Sequence, residues 1–139
     1  MIDVRECRRT FDSRRAARRE ENRRLWCKAQ NDAKCVINHI VKCYRPEKII
    51  QWGSVLDADR FDRRSDIDIA VEGEFDARTW FQLLGEVWQM TGFPLDIVDL
   101  RHIEPEFADI IRMKGSVVYE RYPRADRRDP ENPRSAGED

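Results

Sequence analysis

The spacing of apolar side chains predicts one long helix in the first third of the chain. Apolar residues recur three or four positions apart, which is the period of a helix with one buried face: Leu25, Ala29, Ala33, Val36, Ile37, Ile40 and Tyr44. The preceding stretch, 14–21, favours helix but offers little to bury, so we expect this part to project. The helix is therefore predicted to run from Ser13 or Arg14 to Tyr44, before Pro46, with residues 1–13 loosely ordered.

Short apolar runs alternate with amphipathic segments over the rest of the chain. The runs predict four strands, at 48–52, 66–71, 95–100 and 116–119. The amphipathic segments predict a helix over 77–91, capped by Asp76, and another after Pro105 that ends at Gly115. The side chains expected to face inward are Trp80, Phe81, Leu84, Val87 and Trp88 in the first helix and Phe107, Ile110, Ile111 and Met113 in the second.

This order of elements predicts an α+β fold, in which helices pack on a small mixed β-sheet that follows a long N-terminal helix. The length of 139 residues suits a single hydrophobic core. We expect three parts: a basic helical segment at 1–45, a core domain at 46–120 and a flexible polar tail at 121–139. The tail is predicted because it is rich in proline and arginine and lacks apolar periodicity.

The composition favours a cytoplasmic protein. Charged residues make up 38% of the chain, no apolar stretch approaches membrane-spanning length, and the opening residues do not resemble a signal peptide. Cys7, Cys27, Cys35 and Cys43 form no Cys-x-x-Cys pair, and only two histidines accompany them. We therefore expect reduced, buried or half-buried thiols on a helix rather than a zinc site.

Charge is divided unevenly along the chain. Residues 1–45 hold 13 Lys and Arg against 6 Asp and Glu, whereas residues 46–139 hold 13 against 21. The basic part is suited to RNA, an acidic partner or a nucleoside triphosphate, and equally to a solvated helix face. Because the run of arginines from Arg14 carries no interleaved aromatic residues for base stacking, the solvated face is the preferred interpretation.

The strongest chemical signal is a pair of aspartates that follows a Gly-Ser pair. Gly53 and Ser54 end one predicted strand, and Asp66 and Asp68 lie on the next strand after eleven intervening residues. Residues two apart on a strand face the same side, so both carboxylates project together. Since like charges repel, a divalent cation between them is the simplest reason to keep both. Oxygen ligands suit Mg²⁺ or Mn²⁺, so these residues predict a metal site.

Two further features would complete a nucleotide site. Glycine at position 53 permits close backbone approach, and Ser54 is predicted to cap a short helix whose free N–H groups bind a phosphate. A third acid, Asp96, lies on the strand over 95–100. Asp99 has the opposite strand parity, so the two cannot both face the metal, and Asp96 is the predicted ligand.

These residues in this order resemble the minimal nucleotidyltransferases of the DNA polymerase beta superfamily. The resemblance rests on Gly53-Ser54, on the run Ser65 to Val71 containing Asp66 and Asp68, and on the strand of Asp96, and it covers roughly residues 46 to 120. Members usually have ten residues between the Gly-Ser pair and the paired aspartates, where this chain has eleven. Several members resemble antitoxins that are paired with a small helical HEPN toxin.

The resemblance implies transfer of AMP, or another nucleoside monophosphate, from a triphosphate such as ATP to a hydroxyl group. Asp66 and Asp68 would hold Mg²⁺ or Mn²⁺, Asp96 would share a second ion and take the hydroxyl proton, and Gly53 and Ser54 would bind the terminal phosphates. The implied acceptor is a hydroxyl on a HEPN-type toxin. The alternatives are an antitoxin that neutralises its toxin by contact alone, or transfer of the nucleotide to RNA or to a small molecule. Assembly of the chain into a homo-oligomer also stays open.

Overall fold

The computed structural model describes Met1 and residues 3–122, so the predicted tail lies outside the described residues from position 123 onward. The elements are α1 (Val4–Tyr44), β1 (Lys48–Trp52), β2 (Ile67–Glu72), α2 (Ala77–Trp88), β3 (Leu95–Asp99), α3 (Pro105–Lys114) and β4 (Ser116–Glu120). A single 3-10 turn, Gly53–Leu56, directly follows β1. The predicted α+β fold, a small sheet preceded by a long helix, is confirmed.

The sheet is mixed and has the strand order β3-β2-β1-β4. β1 pairs antiparallel with both β2 and β4, and β2 pairs parallel with β3. Because β2 and β3 are parallel and adjacent, their N-terminal ends lie at the same edge of the sheet. The C-terminal end of the antiparallel strand β1 lies at this edge too, since Trp52 is the partner of Asp68. We call this end of the sheet, where the predicted catalytic residues lie, the catalytic edge.

Helices cover both faces of the sheet. On one face α1 and α2 pack against the sheet and enclose the larger cluster of buried residues, which includes Ile49, Ile67, Ile69 and Val71. On the other face α3 covers the smaller cluster of Ile50, Ala70, Leu100, Ala108 and Ile111. Alternate residues of β2 thus enter different cores, as the period of a strand requires.

Helix α1 begins earlier than the sequence predicted. Asp3 is its N-cap, and the Asp3 carboxylate accepts a hydrogen bond of 2.9 Å from the backbone N–H of Arg5. The expectation that residues 1–13 are loosely ordered was therefore wrong, because a capping aspartate and good helix formers extend the helix to Val4. Residues 3–21 are all exposed, which confirms that the first part of the helix projects.

The sheet buries fewer helical side chains than the periodicity predicted. Phe81 and Trp88 of α2 are 69% and 55% exposed, and α2 ends at Trp88 rather than near residue 91. In α3, Phe107, Ile110 and Met113 are likewise exposed. These predictions were wrong because one narrow sheet covers only the central stripe of each helix, which consists of Leu83, Leu84 and Val87 in α2 and of Ala108 and Ile111 in α3.

The four cysteines lie on α1 and are free, as expected, but all four are exposed. The prediction that they are buried or half-buried was wrong, because they lie off the stripe of α1 that contacts the sheet, which runs from Ala29 to Ile40. In the part of the chain that the structure describes, no helix is both long and apolar enough to cross a membrane.

Candidate active site

The Gly53 turn is built for close approach to Asp68. Gly53 has a φ of +83°, a left-handed conformation that side chains rarely adopt. A Cβ atom at this position would collide with Oδ2 of Asp68 and lie 3.0 Å from its Cγ. Glycine is therefore required twice, for the backbone conformation and for the space that the Asp68 carboxylate occupies.

The structure does not give Ser54 the capping role that the sequence predicted. The residue at the N-cap position is Trp52, and no side chain caps the turn. The prediction was wrong because the turn ends at Leu56, so no longer helix exists for Ser54 to begin. Ser54 lies within the turn, half-buried and next to Gly53.

Helix α1 anchors the turn from the opposite side. The indole Nε1 of Trp26 and the amide Nε2 of Gln30 both donate to the carbonyl oxygen of Val55, at 2.8 and 2.6 Å. Val55 itself is fully buried. Sequence reasoning missed these two positioning residues; the available signal was a pair of polar donors one helical turn apart beside the apolar stripe.

Strand register brings the predicted acids to the catalytic edge. Asp68 pairs with Trp52 on one side and with Asp96 on the other, while Asp66 directly precedes β2. Ile67 and Ile69 are fully buried, as the alternation predicted. Asp68 is 9% exposed, whereas Asp96 lies exposed on the edge strand β3.

The electrostatics of the site centre on Asp68. Burial, together with the negative charges of Asp96 and then Asp66, raises the pKa of the Asp68 carboxyl from 3.8 to about 6. A desolvated carboxylate among like charges is unfavourable unless a cation balances it, so this oxygen-only set fits Mg²⁺ or Mn²⁺. Among the described residues, no three or more His, Cys, Asp or Glu side chains are grouped closely enough to hold a metal ion, so the fit rests on the chemistry of the donors and not on an assembled set of ligands.

Asp99 occupies a different environment at the other end of β3. It lies opposite Val71 in the register, and its carboxylate accepts hydrogen bonds from the backbone N–H of Arg101 and from Nδ1 of His102, at 3.0 and 2.8 Å. Its charge is therefore satisfied locally. The structure thus brings Asp96, and not Asp99, next to Asp68.

A cleft of about 550 Å³ opens beside the Gly53 turn, between the turn and α3. Its walls are formed by Trp52, Gly53, Ser54, Leu56, Asp57, Arg60, Phe107, Ile110, Ile111 and Lys114. Trp52 meets the Phe107 ring edge-on, with centroids 5.5 Å apart, and its buried Nε1 has no hydrogen-bond partner among the described residues. Arg60 and Lys114 supply two cations to this cleft. Neither residue was assigned a role from the sequence.

Three solved structures share the fold. One, of the toxin-antitoxin MntA-HepT, has a TM-score of 0.51 and 20% identity, covering 66% of this chain and 72% of that chain. A toxin-antitoxin structure with AMP-PNP has a TM-score of 0.51 and 24% identity, covering 61% and 71%. The structure of a tri-AMPylated Shewanella oneidensis HEPN toxin in complex with MNT antitoxin has a TM-score of 0.51 and 21% identity, covering 66% of this chain and 72% of that chain.

Family membership rests on a sequence match over more than half of the chain. Comparison with curated proteins finds no match. A family model described as "Polymerase beta, Nucleotidyltransferase" matches residues 36–124. This range contains the C-terminal end of α1, from residue 36, and the whole sheet with its catalytic edge. With the Gly53 turn and the three aspartates in the order described above, the chain belongs to the polymerase beta nucleotidyltransferase family.

Proposed function

We propose that this protein transfers AMP, or another nucleoside monophosphate, from a nucleoside triphosphate to a hydroxyl group. The observation that carries the proposal is the desolvated carboxylate of Asp68, which is paired in register with Asp96 and packed against Gly53. Such a carboxylate is destabilising on its own, and a metal-bound triphosphate is the ligand that offsets this cost in a transferase.

The residues present fit a divalent cation, Mg²⁺ or Mn²⁺, held by Asp66, Asp68 and Asp96. When bound, the ion neutralises the charge that develops on the triphosphate and favours ionisation of the acceptor hydroxyl. Gly53, through its backbone, and Ser54, through its hydroxyl group, would bind the terminal phosphates in the cleft that both residues line. Arg60 and Lys114 line the same cleft and complement their negative charge.

The reaction requires positioning rather than covalent catalysis by the protein. The acceptor oxygen attacks the α-phosphorus in line, the bond from this phosphorus to the bridging oxygen breaks, and pyrophosphate leaves with that oxygen. The acceptor proton passes to Asp96, whose exposed position on the edge strand leaves it accessible from solvent. Fixed charges around the phosphates then stabilise the transition state.

We further propose that the acceptor is a hydroxyl on a small helical toxin of the HEPN type and that this chain is its antitoxin. The support is the shared fold with structures described as toxin-antitoxin complexes, one of which contains a tri-AMPylated HEPN toxin with an MNT antitoxin. A contact-only antitoxin would need no desolvated acid beside a glycine turn, so the geometry favours the catalytic form.

The test uses the product of the adjacent reading frame as acceptor, with α-³²P-ATP as donor. We expect Mg²⁺-dependent labelling of the partner, which EDTA added before ATP prevents, and neither label nor neutralisation with Asp68→Asn. The matched control is Asp99→Asn, which removes a carboxylate of similar burial from the other end of the sheet. If the Asp68→Asn variant neutralised the toxin without labelling it, contact alone would suffice, and transfer would be refuted as the means of neutralisation.

A further inference from the structure

The first half of α1 is an exposed helical arm rich in arginine. We define the arm as residues 4–24, which at 1.5 Å per residue extend for about 31 Å. It contains nine arginines, no lysine and four acidic residues. Every arm residue is exposed except Asn22, which is half-buried. The arm therefore contributes almost nothing to the hydrophobic core, and its charge is available for binding.

The arm extends beyond the catalytic edge. Trp26 and Gln30, which follow the arm on α1, bind the carbonyl oxygen of Val55 in the turn at this edge. From there α1 runs along the sheet to Tyr44 and returns through β1 to the same edge, so residues upstream of Trp26 project past it. The base of the arm faces the loop before β2 across a cleft of about 490 Å³, lined in part by Arg18 and Arg63.

The arm guanidinium groups have no anionic partners. Within residues 3–122, no arm arginine forms an ion pair, and Arg15 only stacks over the Phe11 ring at 5.7 Å. By helical spacing, Arg8, Arg15, Arg18 and Arg19 continue the face of α1 that contacts the sheet, with Asp12 beside them. Glu6 and Glu20 lie on the opposite face. Arg18 lines the cleft at the base of the arm, and we call the other three, Arg8, Arg15 and Arg19, the basic stripe.

The chemistry of the arm favours a nucleic acid over a protein partner. Its large apolar side chains are Val4 and Phe11 alone, whereas protein interfaces need a more extensive apolar centre. Interfaces with nucleic acid are polar and strongly positive, and guanidinium groups match phosphate oxygens in pairs. A flexible single strand can follow a straight arm, and RNA is the nucleic acid that commonly presents unpaired segments.

We propose that the basic stripe binds the phosphodiester backbone of single-stranded RNA and holds the strand along the arm toward the catalytic edge. This binding is separate from nucleotidyl transfer to a toxin and does not require it. The contact is made to the backbone and not to particular bases, because the arm offers one aromatic ring, Phe11, for stacking.

The test is fluorescence anisotropy of the full-length protein with a labelled unstructured 20-nucleotide RNA, without ATP or added metal. The stripe variant is Arg8→Gln/Arg15→Gln/Arg19→Gln. The matched control is Arg9→Gln/Arg14→Gln/Arg24→Gln, which removes the same charge from the other sides of the arm. We expect the stripe variant to bind at least tenfold more weakly and to lower the salt slope by about 2, since each lost phosphate contact is worth about 0.7. We expect the control to change affinity less than threefold.

Three results would overturn nucleic-acid binding by the basic stripe: no binding by the wild type at 50 mM salt, equal losses in both variants, or equally effective competition by poly-L-glutamate per unit charge. The last result would assign the arm to an acidic protein partner. Single-stranded DNA of the same sequence is expected to bind about as well as RNA. Tighter binding of duplex DNA than of single-stranded RNA would contradict the proposal that the stripe binds a single strand. Circular dichroism of both variants verifies that the helix is intact, so that a loss of binding reports the charge.

Discussion

Two buried aspartates at opposite ends of the parallel strand pair lie in different electrostatic environments. Asp68 and Asp99 are similarly buried, at 9% and 7% exposure. Asp99 accepts two hydrogen bonds from its own turn, including one from His102, whereas Asp68 faces Asp96 and Asp66, and its pKa is raised. A buried charge that the fold satisfies is structural, and one that the fold leaves unbalanced indicates a site for a cationic ligand.

Asp68→Asn is the sharpest test of this comparison. We expect nucleotidyl transfer to fall by about 10³-fold or more, because the central metal-binding oxygen is lost. The fold should persist, since the substitution removes a repulsive charge. The measurement is label transfer from α-³²P-ATP, with circular dichroism as the check of folding. A transfer rate near that of the wild type would refute the metal role of Asp68.

Asp96→Asn and Asp99→Asn compare the two ends directly. We expect Asp96→Asn to lower transfer by about 10²-fold or more while largely sparing ATP binding, because Asp66 and Asp68 remain. Asp99→Asn should leave transfer within a few-fold of wild type and cost about 1–2 kcal/mol of stability through its weakened turn. Transfer rates at saturating Mg²⁺-ATP and urea unfolding measure the two effects. If Asp99→Asn abolished transfer and Asp96→Asn did not, Asp99 and not Asp96 would be the third metal ligand.

Gly53→Ala tests whether space beside Asp68 is required. The added methyl group would collide with the Asp68 carboxylate, and the left-handed φ disfavours alanine. We expect stability to fall by about 1–3 kcal/mol and ATP affinity to fall about tenfold. Thermal unfolding and calorimetric titration with Mg²⁺-ATP report the two effects. Gly92→Ala is the control, because a Cβ there meets nothing within 4 Å; equal effects would show that the geometry at Gly53 is unimportant.

The smallest expected effect is the pH dependence of the metal-free protein. Because the pKa of Asp68 in the folded protein, about 6, lies above its ordinary 3.8, the folded state binds more protons between these values. The free energy of unfolding should therefore decrease as pH rises through this range. Asp68→Asn removes the effect, so in EDTA at pH 7.5 it should stabilise the protein by about 1 kcal/mol, after allowance for solvent screening.

Urea unfolding of the wild type and of Asp68→Asn at pH 4 and pH 7.5 measures this difference. Most of the gain from the substitution should disappear at pH 4, where Asp68 is protonated in the folded state and partly protonated in the unfolded state. The matched variant Asp99→Asn should show no such gain at pH 7.5, since its carboxylate is stabilised by hydrogen bonds. A substitution at Asp68 that destabilises equally at both values would contradict the electrostatic account.

The sequence alone was sufficient for the features that depend on local spacing. The alternation around Asp68 predicted that Ile67 and Ile69 are buried, and the structure confirms it. The cap at Asp76 is also confirmed by its 2.8 Å hydrogen bond from the backbone N–H of Thr79. Strand parity indicated, before any register was known, that Asp96 and Asp99 face opposite sides, while the choice of Asp96 rested on the family resemblance. These features are set by the period of the chain and by short-range hydrogen bonds, which the sequence contains directly.

Tertiary structure decided what depends on contacts between distant segments. The length of the turn after β1 excluded the capping role of Ser54, and the width of the sheet left Phe81 and Trp88 exposed. The hydrogen bonds of Trp26 and Gln30 to Val55, which hold the Gly53 turn, join residues that are 29 and 25 positions apart, respectively. No local period encodes such contacts. The sequence therefore determined which residues are candidates for the site, and the packing of α1 against the sheet determined where these residues lie and placed the arm beside them.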